Sequence, residues 1–215
     1  MNIAIIGAGN VGTALATSFT RSGHDVIVTS RDPEHAATVA TSTGARTAGS
    51  NTEAAAAGEI VVLAIPFSSV AEVAAEIAGV VAGKPVVDTT NRMSFGANGP
   101  DIDTASSNAE ELAALLPAAH VVKAFNTLFA TNQRDPFADG VQLSGFVAGD
   151  DAEAKATIIE LVGSIGLDPV DVGPLARARQ LEGLAFLNIT LNIVNNGTWQ
   201  SGWKLVGAPS STKAA

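Results

Sequence analysis

Six consecutive residues, Gly7-Ala8-Gly9-Asn10-Val11-Gly12, do most to limit what this chain can become. They match G-x-G-x-x-G. The bare pattern is weak, but its setting is informative. The apolar run Asn2–Ile6 leads straight into it, and a helical stretch over residues 10–22 follows at once. Strand, glycine turn and helix in that order open a nucleotide-binding βαβ unit. Gly7 permits the tight turn, Gly9 lets the backbone approach a pyrophosphate with no Cβ in the way, and Gly12 lets helix pack on strand. The free N–H groups of the helix start then meet the anion.

The rest of the chain keeps the same rhythm. Strands are expected at Asp25–Thr29, 60–65, Pro85–Asp88, 120–124, 142–148 and 168–172, with a short edge strand at 45–48. Helices are expected at 32–43, where Asp32 caps and Pro33 takes the first position, and at Asn51–Ala57 and 68–81. Asn108 with Glu111 reads as a capping box for a helix to Leu116, and Asp150 with Glu153 as another to Gly163. Residues 91–106 read as a long polar loop, and the tail from Gly207 as frayed. The pattern predicts an α/β fold: a Rossmann-type, doubly wound, mostly parallel sheet with a small C-terminal helical element. The expected division is a dinucleotide-binding domain over 1–172 and a helical element over 173–215.

Composition narrows the function classes. Hydrophobic residues make up 47% and aromatics 5%, so the core must be built largely of small aliphatic side chains. The net charge of -9, with no basic run, argues against a nucleic-acid or anionic-membrane surface. There is no cysteine, which removes disulfides, thiolate catalysis and Cys-based metal sites. There is no tyrosine either, which excludes the Tyr/Lys pair of short-chain dehydrogenases. No segment reaches the ~18 apolar residues of a membrane helix. The reading is a cytoplasmic protein that keeps its N-terminus.

The end of the second strand chooses the nucleotide. NAD enzymes place an acid there for the ribose 2′-OH. This chain has Thr29-Ser30-Arg31, a hydroxyl and a guanidinium that suit a 2′-phosphate. Asp32 lies at about the spacing of the NAD acid, but Asp32-Pro33 fits a helix start, so NADP is favoured. The other strand ends read Ala64-Ile65-Pro66-Phe67, Asp88-Thr89-Thr90-Asn91 and Lys123-Ala124-Phe125-Asn126-Thr127. Asn91 and Asn126 can each donate to and accept from a carboxamide, or they can simply cap the next helices. His24, His35 and His120 fit neither a metal site nor a triad and read as solvated. Lys123 reads as a strand-end charge. With no paired carboxylates or serine elbow, no catalytic side chain is assigned, and the protein's part is positioning.

Together, the glycine loop, Ser30-Arg31, Ala64-Ile65-Pro66, the run Val122–Thr127 and Asp171-Val172-Gly173-Pro174-Leu175 with Arg177 and Arg179 resemble the F420-dependent NADP reductase family. The stretches 108–116 and 123–126 also resemble the cytoplasmic domain of STEAP metalloreductases, which pass electrons from NADPH through flavin to haem and metal. The first resemblance implies a cytoplasmic homodimer that moves hydride between NADPH and coenzyme F420. It implies that Gly7, Ala8, Gly9, Asn10, Val11 and Gly12 hold the pyrophosphate, with Thr29, Ser30 and Arg31 at the 2′-phosphate. Ala64, Ile65, Pro66, Asn91, Ala124 and Asn126 would surround the nicotinamide. The acceptor ring would lie against Leu128, Leu184 and Phe186. Arg92 follows Asn91 where many relatives have proline, and Asn126 stands where some deazaflavin reductases have histidine. Trp199 and Trp203 match no family feature; they either close the acceptor pocket or pack in the core or at a dimer contact, and packing is favoured.

Several functions compete. The first is NADPH-dependent reduction of F420; the alternative acceptors are FMN, FAD or ferric iron, as in the metalloreductases. Arg92, Arg134, Arg177 and Arg179 would offset the chain's acidity near an anionic acceptor. A hydroxy-acid or imine dehydrogenase shares the N-terminal pattern but needs a large helical domain, for which too little chain follows the last strand. A non-catalytic NADP(H) redox sensor is the third reading. The expected partner is a small-molecule acceptor, with no metal, nucleic acid or membrane.

Overall fold

Runs of Ile, Val and Leu make the central strands, because stiff branched side chains suit a pleated, buried surface. The computed structural model describes residues 1–96, 99–102 and 105–207. The first half of the chain gives β1 (Asn2–Ile6), α1 (Asn10–Arg21), β2 (Asp25–Thr29), α2 (Pro33–Thr43), β3 (Arg46–Thr47), α3 (Asn51–Ala57), β4 (Ile60–Leu63), α4 (Val70–Ile77) and β5 (Pro85–Asp88). A small pair, β6 (Ser94–Gly96) and β7 (Gly99–Asp101), precedes α5 (Asn108–Leu115), β8 (His120–Lys123) and α6 (Ala130–Arg134). Then come β9 (Phe137–Ala138), β10 (Val141–Gln142), β11 (Ser144–Gly149), α7 (Ala152–Ser164), β12 (Asp168–Asp171) and the long α8 (Ala178–Val194).

Eight strands form one sheet in the order β3-β2-β1-β4-β5-β8-β11-β12. Every neighbouring pair is parallel except β8 with β11. Side chains alternate across it. Ile3 and Ile5 join Leu15, Phe19 and Ile158 on the face covered by α1, α2 and α7. Ala4 and Ile6 join Val73, Ile77 and Leu112 under α3, α4 and α5. This is the expected doubly wound Rossmann-type sheet. Strand order reverses between β1 and β4, and ligands of open α/β sheets bind beyond the strand ends at such a point.

The differences from expectation are local and have causes. β4 stops at Leu63 rather than residue 65, since Pro66 has no N–H for a ladder and the chain bends into a short 3-10 turn, Phe67–Ser69. The helix that follows therefore runs only Val70–Ile77. Asn108 is not the cap of α5; Ser107 accepts from the Glu110 N–H and donates to its carboxylate, one residue earlier. Likewise Asp151, not Asp150, caps α7, while Asp150 accepts from the Leu175 N–H. The stretch expected as a long loop contains the β6–β7 pair. The strand expected over 142–148 divides at Leu143, whose N–H donates to the Pro136 carbonyl: Gln142 stays with the β9–β10 hairpin turned by Asp139 and Gly140, and Ser144 begins β11. The expectation of a frayed tail falls on residues 208–215, outside the described residues.

Candidate active site

The glycine loop lies where β1 ends. Gly7 has φ +112°, and a Cβ there would stand 2.2 Å from the Ala64 carbonyl oxygen. At Gly12 a Cβ would stand 1.8 Å from the Gly7 carbonyl oxygen, so the helix can approach the strand only as glycine. Gly9 differs: its φ is an ordinary -72°, and an added Cβ meets nothing within 4 Å. Gly7 and Gly12 are glycines for packing, and Gly9 is glycine for open space. No side chain caps α1, which leaves its first-turn N–H groups for a ligand. A cavity of about 250 Å³ joins Gly7 and Gly9 to Ser30, Arg31, Ile65 and Pro66.

At the end of β2 the acid at the NAD spacing is already engaged. The Asp32 carboxylate accepts from the N–H groups of Glu34 and His35 as the cap of α2. Arg31 is exposed beside the cavity and makes no ion pair among the described residues. Ser30 lines the same cavity and accepts from the Asp32 N–H. Thr29 is buried and its hydroxyl donates to Asn51 Oδ1 at 2.7 Å, so it supports the turn from behind. His35, read from sequence as solvated, reaches back to the loop: its Nε2 donates to the Ala8 carbonyl at 2.9 Å. A histidine three residues past the cap, on the loop-facing side of α2, was the available signal.

The ends of β5 and β8 meet through amides. Asn126 Nδ2 donates to Asn91 Oδ1 at 2.8 Å, and Asn91 Nδ2 donates to the Asn126 carbonyl at 3.1 Å. Asn126 Oδ1 is buried with no partner among the described residues. Ala64, Ile65 and Pro66 line the smaller cavity, Asn91 and Asn126 the larger one described below, and Ala124 is buried in the core. Lys123 is not a strand-end charge in solvent. It is fully buried and donates to Asp88, Glu182 and the Thr90 carbonyl. Glu182 also accepts from the N–H groups of Asn108 and Arg92. Burial pushes the Glu182 carboxyl above its ordinary value, against the pull of the Lys123 ammonium. The backbone on both sides of Asn91 is thereby tied to one buried ion cluster.

A larger cavity of about 450 Å³ opens on the other side of the loop. Asn10 and Val11 form one wall, and Leu128, Ala185, Ile189 and Trp199 form others. Among the described residues Arg134 is the only charged side chain lining it, and it makes no ion pair with any of them. Of the three residues expected beside the acceptor ring, Leu128 lines this cavity. Leu184 and Phe186 do not line the cavity: Leu184 packs with Phe146 and Leu181, and the helix turns Ala185, Asn188 and Ile189 inward instead. Of the arginines expected to offset charge, Arg92 pairs with Glu111 and Arg179 with Glu110. The Arg179 bonds hold the Glu110 carboxyl below its ordinary value. Among the described residues no cluster of His, Asp or Glu could hold a metal, and no helix is long and apolar enough to cross a membrane.

Fold and cleft define a dinucleotide-dependent oxidoreductase of the Rossmann type. The profile described as "NADP oxidoreductase coenzyme F420-dependent" matches residues 2–92. The F420-dependent NADP reductase of Methanothermobacter thermautotrophicus is 32% identical over 212 residues, covering 91% of this chain and 90% of that protein. The solved structure of a candidate F420-dependent NADP reductase from Arthrobacter sp. FB24 superposes with a TM-score of 0.85 at 31% identity, over 95% of this chain and 99% of that one. Metalloreductase STEAP3 of Rattus norvegicus is 34% identical over 185 residues; they are 85% of this chain but only 36% of that protein's length. The chain belongs to the F420-dependent NADP reductase family, and it is an NADP-dependent oxidoreductase.

Proposed function

We propose that this enzyme transfers hydride between NADPH and the deazaflavin coenzyme F420. Written forwards, F420, NADPH and a proton give reduced F420 and NADP+; the hydride carries both electrons and solvent supplies the proton. The observation that carries the reading is the placement of one loop between two cavities. Gly7, Ala8 and Gly9 face the smaller cavity, and Asn10 and Val11 face the larger. A ligand held by the loop has its two ends within reach of both.

The residues present fit the nucleotide. The N–H groups over Gly7 to Gly12 hold the diphosphate, with open space at Gly9 for its approach. Ser30 and Arg31 take the 2′-phosphate, since a guanidinium with no partner acid is a strong phosphate donor. Ala124 is fully buried and backs the site from the core; Ala64, Ile65 and Pro66 line the nucleotide's path in the smaller cavity, and the nicotinamide end lies at Asn91 and Asn126 in the larger. There Asn126 Oδ1, the unpaired acceptor, receives an amide N–H, and Asn91 keeps Asn126 aimed. No side chain needs to move a proton, so the protein's contribution is to orient two rings and exclude water. Arg134 meets the acceptor's anionic tail in the larger cavity. The homodimer and cytoplasmic location belong to the same proposal.

A second reading, FMN, FAD or ferric iron as acceptor, is favoured by the likeness to the rat metalloreductase. Anaerobic stopped-flow following loss of NADPH absorbance separates them. Turnover with F420 supports the first reading, turnover only with FMN, FAD or ferric salts supports the second, and turnover with none contradicts both.

A further inference from the structure

After α8 the chain turns back on itself and is fastened on both sides. Asn192, buried in α8, donates to Ser201 Oγ at 2.8 Å and accepts from the Trp199 N–H at 3.0 Å. Asn188 donates to the Ser201 carbonyl at 3.1 Å. From α6, Thr131 donates to the Trp199 carbonyl at 2.7 Å and Asn132 to the Gln200 carbonyl at 3.0 Å. The approach is close enough that a Cβ at Gly197 would stand 2.3 Å from Asn192 Oδ1.

Two of these bonds hold the backbone of Trp199 itself, at its N–H and at its carbonyl. Trp199 has φ +58°, a left-handed conformation that bulky side chains rarely adopt. Such strain persists only where the surroundings over-determine it, and it gathers at ligand sites. Core packing does not explain it, because Trp199 remains 44% exposed, whereas Trp203 packs against the cluster of Phe146 and Leu181. The indole lines the 450 Å³ cavity, edge to face with Phe129 at 5.3 Å and 75°.

We propose that Trp199 determines acceptor specificity. Its indole is the stacking wall of the larger cavity and selects a flat heteroaromatic ring. This rests on the reading that the acceptor occupies that cavity, and it adds the residue that recognises the ring. Aromatic contact of this kind is worth about a tenfold change in affinity.

The test is equilibrium binding of oxidised F420 or FMN to enzyme saturated with NADP+, where neither ligand can reduce the other. Trp199→Ala is expected to weaken the probe about tenfold and leave NADP+ affinity unchanged. Trp199→Phe, which keeps an aromatic face, is expected to restore most of the loss, and Trp199→Leu is not. Equal probe affinity in wild type and Trp199→Ala overturns the proposal while leaving the functional reading intact. A parallel loss of NADP+ and probe with a lowered Tm overturns it as well, by making Trp199 structural. Wild-type enzyme that binds neither probe overturns the inference and the functional reading together.

Discussion

Lys123 and Glu182 meet at 2.8 Å with neither side chain exposed, joining the end of β8 to α8. Asp88 shares the ammonium from β5. The cluster grips the Thr90 carbonyl through Lys123 and the Arg92 N–H through Glu182, so the peptide that presents Asn91 is held on both sides. A buried cation shared by two carboxylates adds little net stability as a set, but it is costly to break.

Lys123→Met should therefore destabilise the fold by roughly 3–5 kcal/mol, measured by urea unfolding. The pH dependence has a definite sign. Glu182 already titrates above its ordinary value because of burial, and removing the ammonium pushes it further up. A carboxyl raised in the folded state favours folding below its unfolded value, and that contribution is lost as pH rises through the folded one. The deficit of Lys123→Met should be smaller at pH near 5 than near 8. A deficit independent of pH would contradict the cluster's role.

The two tight glycines and the open one should separate cleanly. Gly12→Ala places a methyl against the Gly7 carbonyl and should cost roughly 3 kcal/mol of stability. Gly9→Ala has an unstrained φ and empty surroundings, so stability should stay within about 0.5 kcal/mol of wild type. Its NADPH affinity should nevertheless fall by about tenfold or more. Thermal unfolding and calorimetry on the same samples give both numbers.

Arg179 bonds Glu110 through two nitrogens, linking α8 to α5 at the partly exposed side. Arg179→Ala should lower stability only slightly near neutral pH, because the pair is solvent-screened. Glu110 is held below its ordinary value, so its contribution is present above that value and lost as pH falls through the depressed one. Wild type and variant should converge in stability under acid conditions. Unfolding curves across that range check it.

The sheet was legible because each central strand is a run of branched side chains closed by glycine, proline or a polar residue. The glycine loop was legible because Gly7 and Gly12 answer to close backbone approaches that any such turn must meet, and Gly9 to the open space a ligand needs. Cap positions shifted by one residue, since Ser107 and Asn108 are both good caps and only the strand before them decides the phase. Leu184 and Phe186 lie off the larger cavity, a placement the sequence could not show, because α8 carries apolar residues all around and leaves no stripe to mark the side that faces inward. Lys123 gave no sign of burial: its partner Glu182 lies 59 residues away. The sequence left Trp199 between packing and pocket closure, because its left-handed backbone is held by Asn192 and Thr131, which no local pattern reports.

The central claim is that the glycine loop and Arg31 together grip a 2′-phosphorylated dinucleotide. Isothermal titration of the wild type with NADPH and with NADH, then of Arg31→Ala with both, tests it most directly. The account predicts one NADPH per chain, with NADH bound roughly thirtyfold more weakly, the equivalent of about 2 kcal/mol of charge-assisted bonding. In Arg31→Ala most of that preference should disappear. No heat with either nucleotide, or equal affinity for both in the wild type, would contradict it.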